Sequence, residues 1–351
     1  MLVILSSDCS VADVAAVESA ITAMGYTPLA VPGENRTAIC VTGNKGPVDP
    51  GPLRGLRGVV DCIPVTKPYK LVSREVRAED TVVDVDGITI GGDAHPILIA
   101  GPCSVETEAR TLRIAEAVKN AGAAMFRAGA FKPRTSPYDF QGLGVEALHT
   151  LRRVKQEFGL PIVSEIVDAA HLEVMIEHVD VLQVGTRNMQ NFALLQRLAE
   201  QPRPVLLKRG PAATLTEWLM AAEYLLAGGK RDVILCERGI RSFSDHSRNT
   251  LDLNVVPVVR QMSHLPIVVD PSHGTGRRDC VRPMARAALA AGAHGLLVEA
   301  HFDPRSSYTD AAQTVDADVI RGIHDDAAVL ARLPALDAVG AGRAAVLSSR
   351  P

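Results

Sequence analysis

Residues 123–142, AAMFRAGAFKPRTSPYDFQG, begin as an apolar run and turn into a loop that carries Arg127, Lys132 and Arg134 among glycines and prolines. Pro133 and Pro137 stiffen the loop, and Thr135 and Ser136 place hydroxyl donors beside the cations. Arg offers a planar fork of donors and Lys a compact charge, so such a loop suits the carboxylate and phosphate of a small anionic substrate. The stretch becomes decisive because its plan recurs. Apolar runs that end in a chemically capable residue also occupy 96–101 (PILIAG), 160–166 (LPIVSEI), 180–186 (DVLQVGT), 204–210 (PVLLKRG), 232–239 (DVILCERG), 266–274 (PIVVDPSHG) and 294–301 (HGLLVEAH). With 123–129 they make eight, separated by helical patterns such as 107–122, 144–159, 216–229 and 279–292. Continuously apolar strands alternating with amphipathic helices mean parallel strands covered by helices. Eight such units over 94–332 predict an α/β fold, a (β/α)8 TIM barrel, rather than an open sheet. No GxGxxG follows a strand, so the dinucleotide fold lacks its fingerprint.

Barrels of this kind place their active site at the C-terminal ends of the strands. Read there, the chain offers Cys103, Arg127 with Lys132, Glu165, Arg187, Lys208, Arg238, His273 and Glu299. Five cations, Arg127, Lys132, Arg187, Lys208 and Arg238, converging on one mouth repel each other and call for anions, which phosphate plus carboxylate would supply. Cys103, His273 and Glu299, with Asp310 in the loop that follows, form a candidate ligand set for one divalent metal ion. A thiolate, an imidazole and two carboxylates suit Mn, Fe, Co or Zn. Cys236 is read as structural, on the opposite face from Arg238.

Outward from the barrel, TVVDVDGITIGGD (81–93) alternates apolar and polar around Asp86-Gly87, a β-hairpin signal, and would plug one end of the barrel. Residues 2–66 read strand, helix, strand, strand, short helix, strand, the βαββαβ order of a small ferredoxin-like domain with no clustered catalytic residues. Assigned to residues 1–70, it serves regulation or structure equally well on pattern alone. Residues 67–80 are a charged connector, and 333–351, rich in Ala, Gly and Ser, are expected to be a flexible tail.

The 351 residues carry 37 basic and 40 acidic side chains, and this near balance excludes recognition of nucleic acid or membrane through bulk charge. Six cysteines lack CxxC spacing, no run reaches a membrane span, and MLVILSSDCS has no basic leader region, so a cytoplasmic protein with reduced thiols is expected.

GPCSVE (101–106), FRAGAFKPRTSPYDFQGLG (126–144), QVGTRN (183–188), LLKRG (206–210), ERGIRSF (237–243), VDPSHGTGRRD (269–279) and VEAHFDP (298–304) together resemble the 3-deoxy-D-arabino-heptulosonate 7-phosphate (DAHP) synthases, of the subtype with an N-terminal ferredoxin-like domain. The resemblance runs to about residue 330. It implies condensation of phosphoenolpyruvate with erythrose 4-phosphate, the first step towards the aromatic amino acids, with an aromatic amino acid as effector and a homo-oligomer, a tetramer, as the assembly. It also implies metal ligands at Cys103, His273, Glu299 and Asp310, phosphoenolpyruvate carboxylate contacts at Arg127 and Lys132, and phosphate contacts at Arg187, Lys208 and Arg238. Erythrose 4-phosphate contacts fall on Arg134, Thr135 and Ser136. The segment HFDPRSSYTD (301–310) departs from the family pattern, and Asp303 there competes with Asp310 as ligand. Lys132, Glu165, His273 and Cys103 are the expected catalytic residues, Glu165 as acid or base near the phosphate-bearing carbon. Two other readings stay open: the sister 3-deoxy-D-manno-octulosonate 8-phosphate synthase, which has Asn at the position of Pro133 and lacks the N-terminal domain, and a non-catalytic aromatic amino-acid sensor.

Overall fold

The chain is described as a computed structural model that covers residues 1–331 apart from 33–36, 45, 65–66, 134–135 and 137. The expected tail at 333–351 lies outside the described residues. Two compact units divide the chain, Met1–Glu79 and everything from Asp80 onward.

In the first unit, β1 (Leu2–Leu5), the helix Val11–Ala23, β2 (Thr27–Pro32), β3 (Thr37–Thr42), the single-turn helix Gly51–Arg54 and β4 (Val59–Ile63) follow in order. Its antiparallel sheet has the strand order β2-β3-β1-β4, the ferredoxin-like arrangement. Ser10 starts the long helix with a capping box, its hydroxyl receiving the Asp13 backbone N–H while the Asp13 side chain takes the Ser10 N–H. Val17 and Ile21 then bury one helix face on Val3, Leu5, Ile39 and Val41. Lys70 donates from Nζ to the Val41 carbonyl at 2.6 Å, which fastens the start of the connector onto this unit.

The second unit opens with a hairpin, β5 (Val83–Val85) and β6 (Ile88–Ile90). Asp86 and Gly87 turn it with φ of 52° and 84°, the left-handed pair that matches the twist of the two strands, and the Asp-Gly sequence makes that affordable. The strands β7 (Ile97–Gly101), β8 (Met125–Arg127), β9 (Ile162–Ile166), β10 (Val181–Val184), β11 (Val205–Lys208), β12 (Val233–Glu237), β13 (Ile267–Val269) and β14 (Gly295–Glu299) close into a parallel barrel. β14 completes the circle by pairing with β7, Glu299 lying opposite Gly101. All eight strands run where the apolar repeat puts them.

Side chains alternate across a strand, so one parity of each strand points into the barrel. The inward set contains Ile97, Ile99, Met125, Val163, Val181, Leu206, Ile234, Cys236, Val268 and Leu297, and Val83, Val85 and Ile90 of the hairpin pack into the same cluster. Cys236 is thus buried core, but it shares the inward parity with Arg238; the expectation of opposite faces was wrong because residues two apart on a strand point the same way. Two residues further on, the inward parity reaches Arg127, Glu165, Gln183, Lys208, Arg238, Asp270 and Glu299. One end of the barrel is apolar and plugged, and the other is polar.

Candidate active site

Cys103, His273, Glu299 and Asp310 come together at the polar end, each offering one ligand atom within 4.8 Å of the others. They arrive from four places. Cys103 follows β7, Glu299 ends β14, and His273 sits in the helix Pro271–Thr275, which Asp270 begins as N-cap with Pro271 at the first helical position. Asp310 takes a left-handed φ of 55°, a conformation that Asp tolerates better than most residues. Its Oδ2 lies 2.9 Å from Cys103 Sγ, while Asp303 spends its backbone N–H on His301 Nδ1 and stays outside the group. Of the two carboxylates, Asp310 is the one that lies with Cys103, His273 and Glu299.

His273 is oriented by Asp270. Asp270 Oδ1 receives the His273 backbone N–H at 2.9 Å and Oδ2 lies 2.7 Å from Nδ1, so Nδ1 carries the proton and Nε2, 3.2 Å from Glu299 Oε1, faces the other donors. The donors are one sulfur, one imidazole nitrogen and two carboxylates, partly or wholly buried, and this set fits a divalent transition ion. Burial, with the nearby charge of Glu299, pushes the Cys103 thiol up to about 12, against the pull of Lys132 and Arg127. Asp310 is held down to about 2: its burial opposes this, but the Cys103 hydrogen bond and the charges of His273, Lys132 and Arg248 prevail.

The cations behave differently from the expectation that all five await a ligand's anions. Arg127, buried, donates at 3.0 Å to Glu299 Oε1 and at 3.0 Å to the Pro102 carbonyl. Lys208, also buried, lies 2.6 Å from Asp270 Oδ2. Lys132 Nζ is 2.7 Å from Cys103 Sγ and feels the charge of Glu165. Arg187, exposed, reaches the Pro133 carbonyl at 2.9 Å. Burying a charge without a partner costs several kcal/mol, so the fold supplies Glu299 and Asp270 as internal counter-ions. Arg238 is the exception. It is 8% exposed, and among the described residues it has no side-chain hydrogen bond or ion pair. Burial pulls its guanidinium below the ordinary arginine value, with the charge of Asp270 opposing. A desolvated cation in that condition is the site's clearest invitation to an anion.

Glu165 sits on the inward face of β9 with Gln183 Nε2 at 3.5 Å from its Oε2. A Cβ on Gly185 would lie 1.9 Å from Glu165 Oε1, so a side chain at 185 would push this carboxylate from its place. Of the residues expected to contact erythrose 4-phosphate, Ser136 is half-buried and its hydroxyl accepts the Tyr138 N–H. Arg134 and Thr135 lie outside the described residues.

Sequence reading passed over three groups. Asp270 was hidden behind His273, although an acid that ends an apolar strand and precedes Pro is an N-cap signal. Glu237 pairs with Arg209 at 3.0 Å on the outward parity, and Arg209 also holds Asp252 at 2.8 Å, flanking Lys208 and Arg238 from behind. Glu106, buried, receives Arg110 and the Tyr308 N–H, and its Oε2 lies 3.3 Å from His301 Nε2, which ties the Cys103 loop to the segment carrying Asp310. Glu106 with Arg110 and Asp270 with His273 are neighbours in sequence, whereas Glu237 with Arg209 and Glu106 with His301 pair through space and leave no local pattern.

The profile of the DAHP synthetase I family matches residues 75–327, and that of the DAHP synthase ferredoxin-like domain matches residues 1–67. The phospho-2-dehydro-3-deoxyheptonate aldolase of Thermotoga maritima is 45% identical over 289 residues, 82% of this chain and 85% of that protein. Its crystal structure superposes with a TM-score of 0.74 at 40% identity, covering 94% of this chain and 98% of that one. A 2-dehydro-3-deoxyphosphooctonate aldolase of Geotalea daltonii is 32% identical over 275 residues, 73% of this chain and 98% of that protein.

Proposed function

The chain belongs to the DAHP synthetase I family and is a transferase-type enzyme of it, and from that premise we propose that it condenses phosphoenolpyruvate with erythrose 4-phosphate to give 3-deoxy-D-arabino-heptulosonate 7-phosphate and phosphate. The observation that carries this reading is the juxtaposition of a metal-capable quartet with a buried Arg238 that, among the described residues, has no side-chain hydrogen bond or ion pair, at one barrel mouth. Cys103 Sγ, His273 Nε2 and carboxylate oxygens of Glu299 and Asp310 would hold one divalent ion, Mn, Fe, Co or Zn. When bound, the ion supplies Lewis acidity toward an aldehyde oxygen.

The chain's own groups do the rest. Arg238, with Lys208 and Arg187, receives the phosphate of phosphoenolpyruvate, and Arg127 and Lys132 receive its carboxylate. Held at both ends, the enol carbon is presented to the aldehyde in attack geometry. Arg134, Thr135 and Ser136 take the phosphate of the aldose. Lys132 holds the proton that the new alkoxide oxygen takes up. Water then adds to the carbon bearing the phosphate, Glu165 moves the proton of that water, and phosphate leaves by C–O cleavage through a hemiketal. Water and both substrates are consumed, and sugar acid and phosphate are formed.

The octulosonate relatives are the competing substrate class, and the ferredoxin-like match at residues 1–67 favours the heptulosonate reaction. Comparing kcat/KM for erythrose 4-phosphate and arabinose 5-phosphate decides between them. We expect a wide margin for the four-carbon sugar, and comparable values would overturn the reading. Regulation is part of the proposal: an aromatic amino acid acting through the first unit inhibits a tetrameric enzyme. A truncated chain starting at Asp80 should stay active and lose inhibition by phenylalanine, tyrosine or tryptophan; inhibition that survives would place the effector on the barrel.

A further inference from the structure

Asp270 spends one oxygen on two different groups. Its Oδ2 lies 2.6 Å from Lys208 Nζ and 2.7 Å from His273 Nδ1, while Oδ1 is occupied by the His273 backbone N–H. Asp270 is fully buried and Lys208 is 4% exposed, so water does not relieve the shared oxygen. The imidazole it orients turns its other nitrogen to Glu299, inside the metal-capable quartet. Lys208 stands outside that quartet, on β11, among the cations assigned to phosphate.

We propose that Asp270 is a positioning residue that couples the metal-binding quartet to the phosphate-binding cation, so that an anion on Lys208 tightens the metal and the metal tightens the anion. The inference rests on the metal and phosphate assignments made above. Its sign follows from competition for one oxygen. Lys208 draws on Oδ2 and weakens what Oδ2 offers the imidazole. When an anion pairs with the ammonium, that draw slackens and the stronger Nδ1–H contact makes Nε2 a better donor to the metal. In the other direction, a metal on Nε2 polarises the Nδ1–H bond and pulls density from Oδ2, leaving Lys208 less neutralised and more attractive to phosphate. Linkage requires both effects to have the same size. A substrate anion and the metal thus prepare each other's sites without touching.

The test is a Mn2+ titration of chelator-stripped, full-length protein with no substrate present, in a double-mutant cycle of Lys208→Met and Asp270→Asn. Asp270→Asn should weaken Mn2+ by about 10- to 100-fold, the usual cost of losing a partner that orients a ligand. Lys208→Met, by freeing Oδ2, should tighten Mn2+ by about 5-fold or more, the low end of ordinary coupling. In the Asp270→Asn background the same lysine change should do little. Equal shifts in both backgrounds would mean simple charge repulsion between lysine and metal, and would overturn the coupling. If the Asp270→Asn chains do not fold, Arg238→Met provides the control, because it deletes another buried mouth cation that makes no hydrogen bond to Asp270. Lys208→Met should then tighten Mn2+ clearly more than Arg238→Met, and equal effects would sink the proposal. A stripped wild-type chain that binds none of Mn2+, Co2+ or Zn2+ overturns the metal assignment itself and this inference with it, an outcome distinct from metal binding without coupling.

Discussion

The two ends of the barrel are built from the same eight strands on the same inward parity, yet they share almost no chemistry. At one end Ile97, Met125, Val181 and Ile234 meet Val83, Val85 and Ile90 of the hairpin in a closed apolar cluster. At the other, one or two inward positions along, Arg127, Glu165, Lys208, Arg238, Asp270 and Glu299 crowd a mouth where Cys103, His273 and Asp310 join them. Apolar burial stabilises without direction, so the plugged end needs only volume and shape. Charges removed from water need partners in defined places, and among the described residues the open end provides them for Arg127 and Lys208 but not for Arg238. The difference teaches that stability and chemistry occupy opposite ends of each strand, and changes at the two ends should therefore have separable consequences.

The sharpest break in that comparison would come from the plug. Ile90→Ala removes a fully buried side chain and should cost about 2 to 5 kcal/mol of stability, read by denaturant unfolding. The kcat/KM of the folded variant should stay within about 2-fold, because the site lies at the far end. A large loss of activity in the folded protein would show that the ends are not independent.

At the mouth the expectation reverses. Arg238→Met should lower kcat/KM for phosphoenolpyruvate by about 10- to 150-fold, corresponding to a charge-assisted contact of about 1.5 to 3 kcal/mol. Its melting temperature should hold or rise, because the variant replaces a buried cation that has no side-chain hydrogen bond or ion pair among the described residues with an apolar chain of similar reach. A clear fall in stability with unchanged kinetics would make Arg238 a structural residue and remove the strongest pointer to phosphate.

This polarity explains how far the sequence could be read. The eight strands were legible because each is an apolar run that leads into a chemically capable residue, and the Asp86-Gly87 turn and the βαββαβ unit carry local signals just as plain. Cys103, His273 and Glu299 of the quartet were legible from strand-end position, since a barrel brings those ends together whatever their separation in the chain, and Asp310 came from the loop after the last strand. What escaped was pairing. Nothing near Arg127 announces Glu299, 172 residues away, and nothing near Lys208 announces Asp270, 62 residues away. Asp270 could still have been found by counting two from Val268 on the inward parity, which shows that strand alternation held more than strand ends alone.

The account stands most directly on the quartet. The measurement is phosphate release from phosphoenolpyruvate and erythrose 4-phosphate by wild-type protein stripped with chelator, assayed before and after Mn2+ is added back, with bound metal counted in each sample. The account predicts negligible release from the stripped chain and recovery in step with one metal ion per chain, and no recovery for Cys103→Ser, which loses the thiolate at nearly the same volume. Full activity in the stripped chain, or a Cys103→Ser variant as active as wild type, would contradict it.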